Sequence, residues 1–167
     1  PEKYLRPKDQ VFNVAWEPPA NQEELGLQLM KANHVLDARH LMSCSTCHDP
    51  VHAHAQSNTL AVQSGGALQD VPGFRAVPSL RYLDTTPSFF FDSEGTPTGG
   101  FNHDGRVSTL QDQAQRPFLA PHEMANANKA EVVARLSKAA YVEEFRRVFG
   151  AAILDNPEQA FSRNQAM

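Results

Sequence analysis

The chain has no apolar run near the roughly 20 residues needed to cross a bilayer, so nothing in it inserts into a membrane on its own account. It has no cluster of Lys or Arg, and its formal charge is -4. Both features argue against a phosphate-binding surface and therefore against nucleic acid as a partner. It has only 2 cysteines in 167 residues, too few to staple a domain of this size, which excludes a disulfide scaffold. Internal repeats and low-complexity tracts are absent too. The sequence opens on Pro1 rather than Met, with no hydrophobic leader behind it. It reads as a processed or trimmed product, so export has to be inferred from chemistry rather than from a signal.

What remains is ordinary for one globular domain: 41% hydrophobic and 20% charged residues leave enough of each for a core and a solvated surface. Helical spacing of Leu25, Leu29 and Met30, with Asn21 and Glu24 in capping-box positions, predicts a helix over 21–35. Residues 41–49 read as a short helical turn that Pro50 stops. Between Pro50 and Arg106 periodicity is weak, and prolines (Pro72, Pro78, Pro87, Pro97) alternate with glycines. An irregular stretch this long is unusual in a compact domain unless it has something to wrap. Helices return afterwards. Ser108 with Gln111 predicts one through Gln115, ended by Pro117, and Asn128 with Glu131 opens another. Tyr141, Phe145, Val148 and Phe149 stripe a third, closed by Gly150, and Asn156-Pro157 starts a last. The fold class expected is mostly α, with short helices and long irregular loops.

Both cysteines sit in one run, Cys44-Ser45-Thr46-Cys47-His48. Two thiols at this spacing can each form a thioether with a vinyl group of one haem, and the adjacent His48 then becomes the proximal ligand of the iron. A thioredoxin-like redox pair would want a βαβ context that the sequence does not show. A zinc knuckle made of Cys44, Cys47, His52 and His54 is the other alternative. The haem reading makes this a c-type cytochrome domain, with one covalent haem c per chain inside the loops. Because c-type haem is attached outside the cytoplasm, it also predicts the periplasm in a Gram-negative bacterium.

The sequence resembles the start of the bacterial diheme cytochrome c peroxidases and their MauG-like relatives. The resemblance runs from Leu25-Gly26-Leu27-Gln28-Leu29 through Ser43 to Pro50, then Arg75-Ala76-Val77-Pro78-Ser79-Leu80. It resumes at Phe101-Asn102-His103-Asp104-Gly105-Arg106, Gln113-Ala114-Gln115-Arg116-Pro117 and Pro121-His122-Glu123-Met124, and closes at Phe145-Arg146-Arg147-Val148-Phe149-Gly150. It implies a peroxidatic haem domain that reduces hydrogen peroxide, with electrons from a second haem domain or a small donor cytochrome. It also implies that Glu123 is the acid/base, that Gln113 orients the peroxide and that Pro117 shapes the loop. Arg75 and Arg106 are candidate partners of the haem propionates by charge pairing.

The implied organisation is an extended segment over 1–20, the haem domain over 21–155, and from 156 to 167 the start of a linker towards a second haem domain. Some positions depart from the family. His103 stands where the family has a tryptophan thought to relay electrons between haems. Ala76 replaces an asparagine tied to calcium between the domains, which puts calcium in doubt. No histidine lies in 56–101, so an iron open on its distal side is expected. Two other readings stand beside this one. A non-enzymatic electron-transfer cytochrome would use Met124, or less readily Met42, as sixth ligand; a MauG-like oxidase would act on a protein partner.

Overall fold

A computed structural model describes Leu25, Arg39 and residues 41–164, with side chains through 162. The helix expected over 21–35 and the extended segment over 1–20 lie outside these residues, apart from Leu25, which is helical and fully buried.

Two unlike halves follow each other. The first begins with α1 (Cys44–Cys47), a single turn in which the Ser43 amide donates to Thr46 Oγ1 at 2.9 Å. Pro50 does more than stop that turn. It starts a 3-10 turn, Pro50–His52, whose first free amide, on Val51, donates to Asp49 Oδ1 at 2.8 Å. The irregular stretch then holds two small antiparallel ribbons that its weak periodicity concealed: β1 (Ser64–Gly65) with β2 (Val71–Pro72), and β3 (Phe90–Phe91) with β4 (Pro97–Thr98). In the second ribbon the Asp92 carboxylate accepts from the Glu94 and Thr96 amides at 2.9 and 2.8 Å, and so closes the connecting turn. A further 3-10 turn, Leu83–Thr85, lies between the ribbons.

The second half is helical: α2 (Leu110–Leu119), α3 (Lys129–Leu136), α4 (Val142–Phe149), a 3-10 turn at Ile153–Asp155 and α5 (Pro157–Asn164). The start of α2 is one residue later than the Ser108/Gln111 expectation. Val107 is held in a bridge to Phe101 and the Ser108 carbonyl accepts from Ser88 Oγ, so Thr109 becomes the cap and accepts from the Asp112 amide at 3.1 Å. Nor does Pro117 end the helix. Its missing N–H costs only the bond to the Gln113 carbonyl. The carbonyls left at the helix end are taken by the returning chain, Pro117 by the Met124 amide and Phe118 by the Asn126 amide, both at 3.0 Å. Asn128 caps α3 as expected, accepting from the Glu131 amide at 2.9 Å, while Glu131 reaches back to the Ala127 amide at 2.8 Å. Gly150, at φ +104°, ends α4 by donating to the Arg146 carbonyl.

These helices share one core. Val132, Val133 and Leu136 of α3 meet Tyr141, Phe145 of α4, and Ala160 and Phe161 of α5, with Leu25, Phe118 and Met124 completing it. The last helix is therefore part of this core, and Lys129 fastens it by pairing with Glu158 at 2.8 Å and lying over the Phe161 ring. The first half is the reverse. Every large apolar side chain exposed among the described residues falls between Leu41 and Leu110, with Phe74, Leu68 and Phe91 the most exposed. Phe145 is completely buried and packs on Phe149 with ring centroids 4.7 Å apart. Phe145→Ala should therefore cost about 3–5 kcal/mol, read as a fall in the denaturant midpoint.

Candidate functional site

The one-turn helix α1 puts Cys44 and Cys47 three residues apart on one side, both half-buried, with His48 immediately after. The next seven residues fold back under that histidine. Asp49 bridges to Ala55, the His54 amide donates to the Asp49 carbonyl at 2.8 Å, and Ala53 and His54 both adopt left-handed backbone, at φ +59° and +57°. This aims the His54 carbonyl at the His48 ring, with Nδ1 2.9 Å from it and 3.1 Å from the Pro78 carbonyl. A ring nitrogen facing two carbonyls can only donate, which fixes the proton on Nδ1 and leaves the Nε2 lone pair for a metal. Burial holds the imidazole below its ordinary pKa despite those two acceptors, which favours the neutral form that a metal ligand needs.

Pro78 is held in place by its neighbours. The Val77 amide donates to Gln56 Oε1 at 3.1 Å and Ser79 Oγ donates to the Ala53 carbonyl at 2.6 Å, which locks the Arg75–Leu80 segment against the histidine loop. His103 ties the next segment on, with Nε2 2.9 Å from the Ala76 carbonyl. His52 turns to Asp49 Oδ2 at 3.0 Å, and among the described residues no three His, Cys, Asp or Glu side chains converge as a metal cluster. The zinc knuckle is thereby disfavoured.

The second part of the site comes from α2 and the turn after it. Gln113 and Pro117 lie one helical turn apart on the same face. Beyond the helix end, the Glu123 amide donates to the Ala120 carbonyl at 3.0 Å, and the Gly66 amide donates to the Glu123 carbonyl at 2.7 Å. Gly65 is packed so closely here that a β carbon on it would collide with the His122 carbonyl and stand 2.9 Å from Glu123 Cα. Only glycine lets β1 press on this turn. The Glu123 carboxylate is 42% exposed, and burial of the remainder pushes its pKa up, opposed by His122 and then Arg116. It also acts on Cys47, whose thiol is raised first by burial and then by the Glu123 charge. The charge of Glu123 is thus felt at Cys47, 76 residues earlier in the sequence.

Arg75 and Arg106 are brought together, but on a protein carboxylate: Arg106 forks onto Asp104, which Arg75 approaches at 3.4 Å. The two cations hold the Asp104 carboxyl well below the usual range, and the trio keeps one net positive charge. Met124 packs in the helical core rather than towards an open site. Two features escaped sequence reasoning. The contact of Gly65-Gly66 with the Glu123 turn had no local signal, and the side-chain pairing of His122 with Glu123 follows only from the turn that folds them together.

A family model described as di-haem cytochrome c peroxidase matches residues 20–166. The methylamine utilization protein MauG of Paracoccus denitrificans is 40% identical over 142 residues, covering 82% of this chain and 36% of its own length. MauG of Methylorubrum extorquens is 36% identical over 111 residues. Among solved structures, the diheme peroxidase BthA from Burkholderia thailandensis is similar with a TM-score of 0.73 and 27% identity, over 92% of this chain and 39% of that one. The chain thus spans well under half the length of these relatives.

The residues around His48 fit a haem. Two half-buried thiols precede a neutral histidine with its Nε2 available, and the loops around them carry more apolar side chain at their surface than they bury. Haem-wrapping loops are expected to look like this. The Glu123 environment carries a stability cost. A carboxyl whose folded pKa is raised weighs against folding once ionised, so the penalty is absent below the ordinary glutamate pKa and complete above the raised value. Glu123→Gln, neutral and of equal size, should therefore match or exceed the parent's melting temperature at neutral pH. That advantage should disappear as the pH drops below the glutamate range, as a thermal-denaturation series across pH will show.

Proposed function

The chain belongs to the di-haem cytochrome c peroxidase family, and on that premise we propose that it is the peroxidatic haem c domain of a periplasmic enzyme that reduces hydrogen peroxide. One observation carries the reading: the Glu123 turn is pinned against the loop half by Gly65 and Gly66, near enough to the haem-attachment run for the Glu123 charge to act on Cys47.

Cys44 and Cys47 would hold the porphyrin through two thioethers and His48 Nε2 would ligate its iron, with Arg75 and Arg106 offering their shared positive charge to a propionate. The haem supplies the redox equivalents for the reaction. Reducing peroxide to two waters takes two electrons and two protons, and cleaving the O–O bond requires a proton to leave one oxygen and arrive at the other. Glu123 suits that transfer because burial raises its pKa above the ordinary glutamate value, the direction that helps a carboxyl give a proton back as well as take one. Gln113, on the same α2 face as Pro117, offers an amide to orient the peroxide, and Pro117 adds no competing donor. The electrons would come from a second haem domain or a small donor cytochrome.

Identity to MauG favours a second reading, in which the same site oxidises a protein partner. The simple carrier reading is weakened, because Met124, its best sixth ligand, is committed to the core. In the haem-loaded enzyme, Glu123→Gln should leave haem incorporation intact and slow peroxide turnover by about 10²–10⁴-fold, measured by steady-state consumption. Turnover at the parental rate would remove the acid/base role.

A further inference from the structure

His122 and Glu123 are consecutive, and neighbouring side chains usually diverge. Here the turn closed by the Ala120 carbonyl, which accepts from both the Glu123 and Ala125 amides at 3.0 and 3.1 Å, brings them to one side. His122 Nε2 lies 3.5 Å from Glu123 Oε1, an ion-pair distance longer than a good hydrogen bond. The arrangement is braced from two directions. Phe74 sets its ring against the imidazole, centroids 4.4 Å apart, although Phe74 is otherwise 80% exposed. Gly65 and Gly66 hold the backbone of the pair from below. The imidazole keeps 24% of its surface in solvent, which gives protons a way in.

We propose that His122 is a positioning residue for Glu123, its imidazolium holding the neighbouring carboxylate in the ionised form that accepts a proton from peroxide. This rests on the acid/base reading of Glu123. The other charged or titratable groups acting on Glu123 are Arg116 of α2 and Cys47 of α1. Arg116 keeps its charge at every working pH, and Cys47 has none to offer once alkylated by a vinyl group. His122 brings its ring nitrogen to ion-pair distance of the Glu123 carboxylate. Burial drives Glu123 towards its neutral acid, and His122 is the larger of the two effects that oppose it. Losing the imidazolium leaves burial less opposed, so the carboxyl should titrate at higher pH.

The test is an infrared pH titration of the carboxylic-acid band in the haem-loaded full-length enzyme, with Glu123→Gln identifying which band belongs to Glu123. His122→Phe keeps a ring against Phe74 and removes the charge; His122→Lys restores a cation. The Glu123 midpoint should rise by about one pH unit in the first variant and return towards the parental value in the second. The acid limb of the peroxide pH–rate profile should move by the same amount. If His122→Phe does not fold, His122→Gln removes the charge while keeping a polar side chain, and the same rise is expected. An identical midpoint in the parent and the neutral variant would overturn the proposal. Parental turnover in Glu123→Gln would instead overturn the acid/base reading, and the infrared midpoints would still report on the pair.

Discussion

Among the described residues, the loop after the Cys44–His48 run is arranged around one hydrogen-bonding constraint: the Nδ1–H of His48 faces the carbonyls of His54 and Pro78. To supply the first carbonyl, the chain must turn back within six residues. It does so by placing two non-glycine residues, Ala53 and His54, in left-handed backbone, each at a cost of about 1–2 kcal/mol. To supply the second, the Arg75–Leu80 segment must be laid across the loop and held there by Gln56 and Ser79. Strain accepted twice in succession, beside a histidine that two segments orient, is what a ligand with a fixed tautomer requires.

The division between the two halves follows from this. The helices after Leu110 bury their own apolar faces and need no cofactor to do so. The loops before it expose Phe74, Leu68 and Phe91 and have almost no core beyond Met42, Phe101 and Val107. A domain built this way has a rigid helical body that presents Gln113, Pro117 and Glu123. Beside it lies a loop region that buries few large apolar side chains of its own. Glu123 belongs to both, since its turn hangs from α2 and is pinned by β1 of the loop half. Its carboxyl is less comfortable ionised than a surface glutamate would be, and the same partial burial equips it to exchange protons.

Features encoded by neighbouring residues were legible in the sequence. The Cys44–His48 run, the Asn128 cap and the Gly150 stop each depend on two to five adjacent positions, and each appears where local chemistry puts it. Errors arose where a distant segment outvoted a local preference. Ser88 and Phe101 hold the backbone at Val107 and Ser108, so the cap moves to Thr109. The chain returning at Met124 and Asn126 satisfies the end of α2, so Pro117 is accommodated within it. Two-residue strands are too short to generate an alternating pattern, so both ribbons were invisible. Arg75 and Arg106 were recognisable as cations, but not as partners of the same aspartate. The family resemblance named Gln113, Pro117 and Glu123 as candidates, and only the fold could show that the Glu123 charge acts on Cys47.

The central claim is that the Cys44–His48 run holds a haem through both sulfurs. It is tested most directly by maturing the chain in a host competent for c-type haem attachment, then taking its intact mass before and after thiol alkylation. The account predicts one added haem per chain, with Cys44 and Cys47 both inert to the alkylating reagent. A haem-free mass with two alkylated cysteines would contradict it.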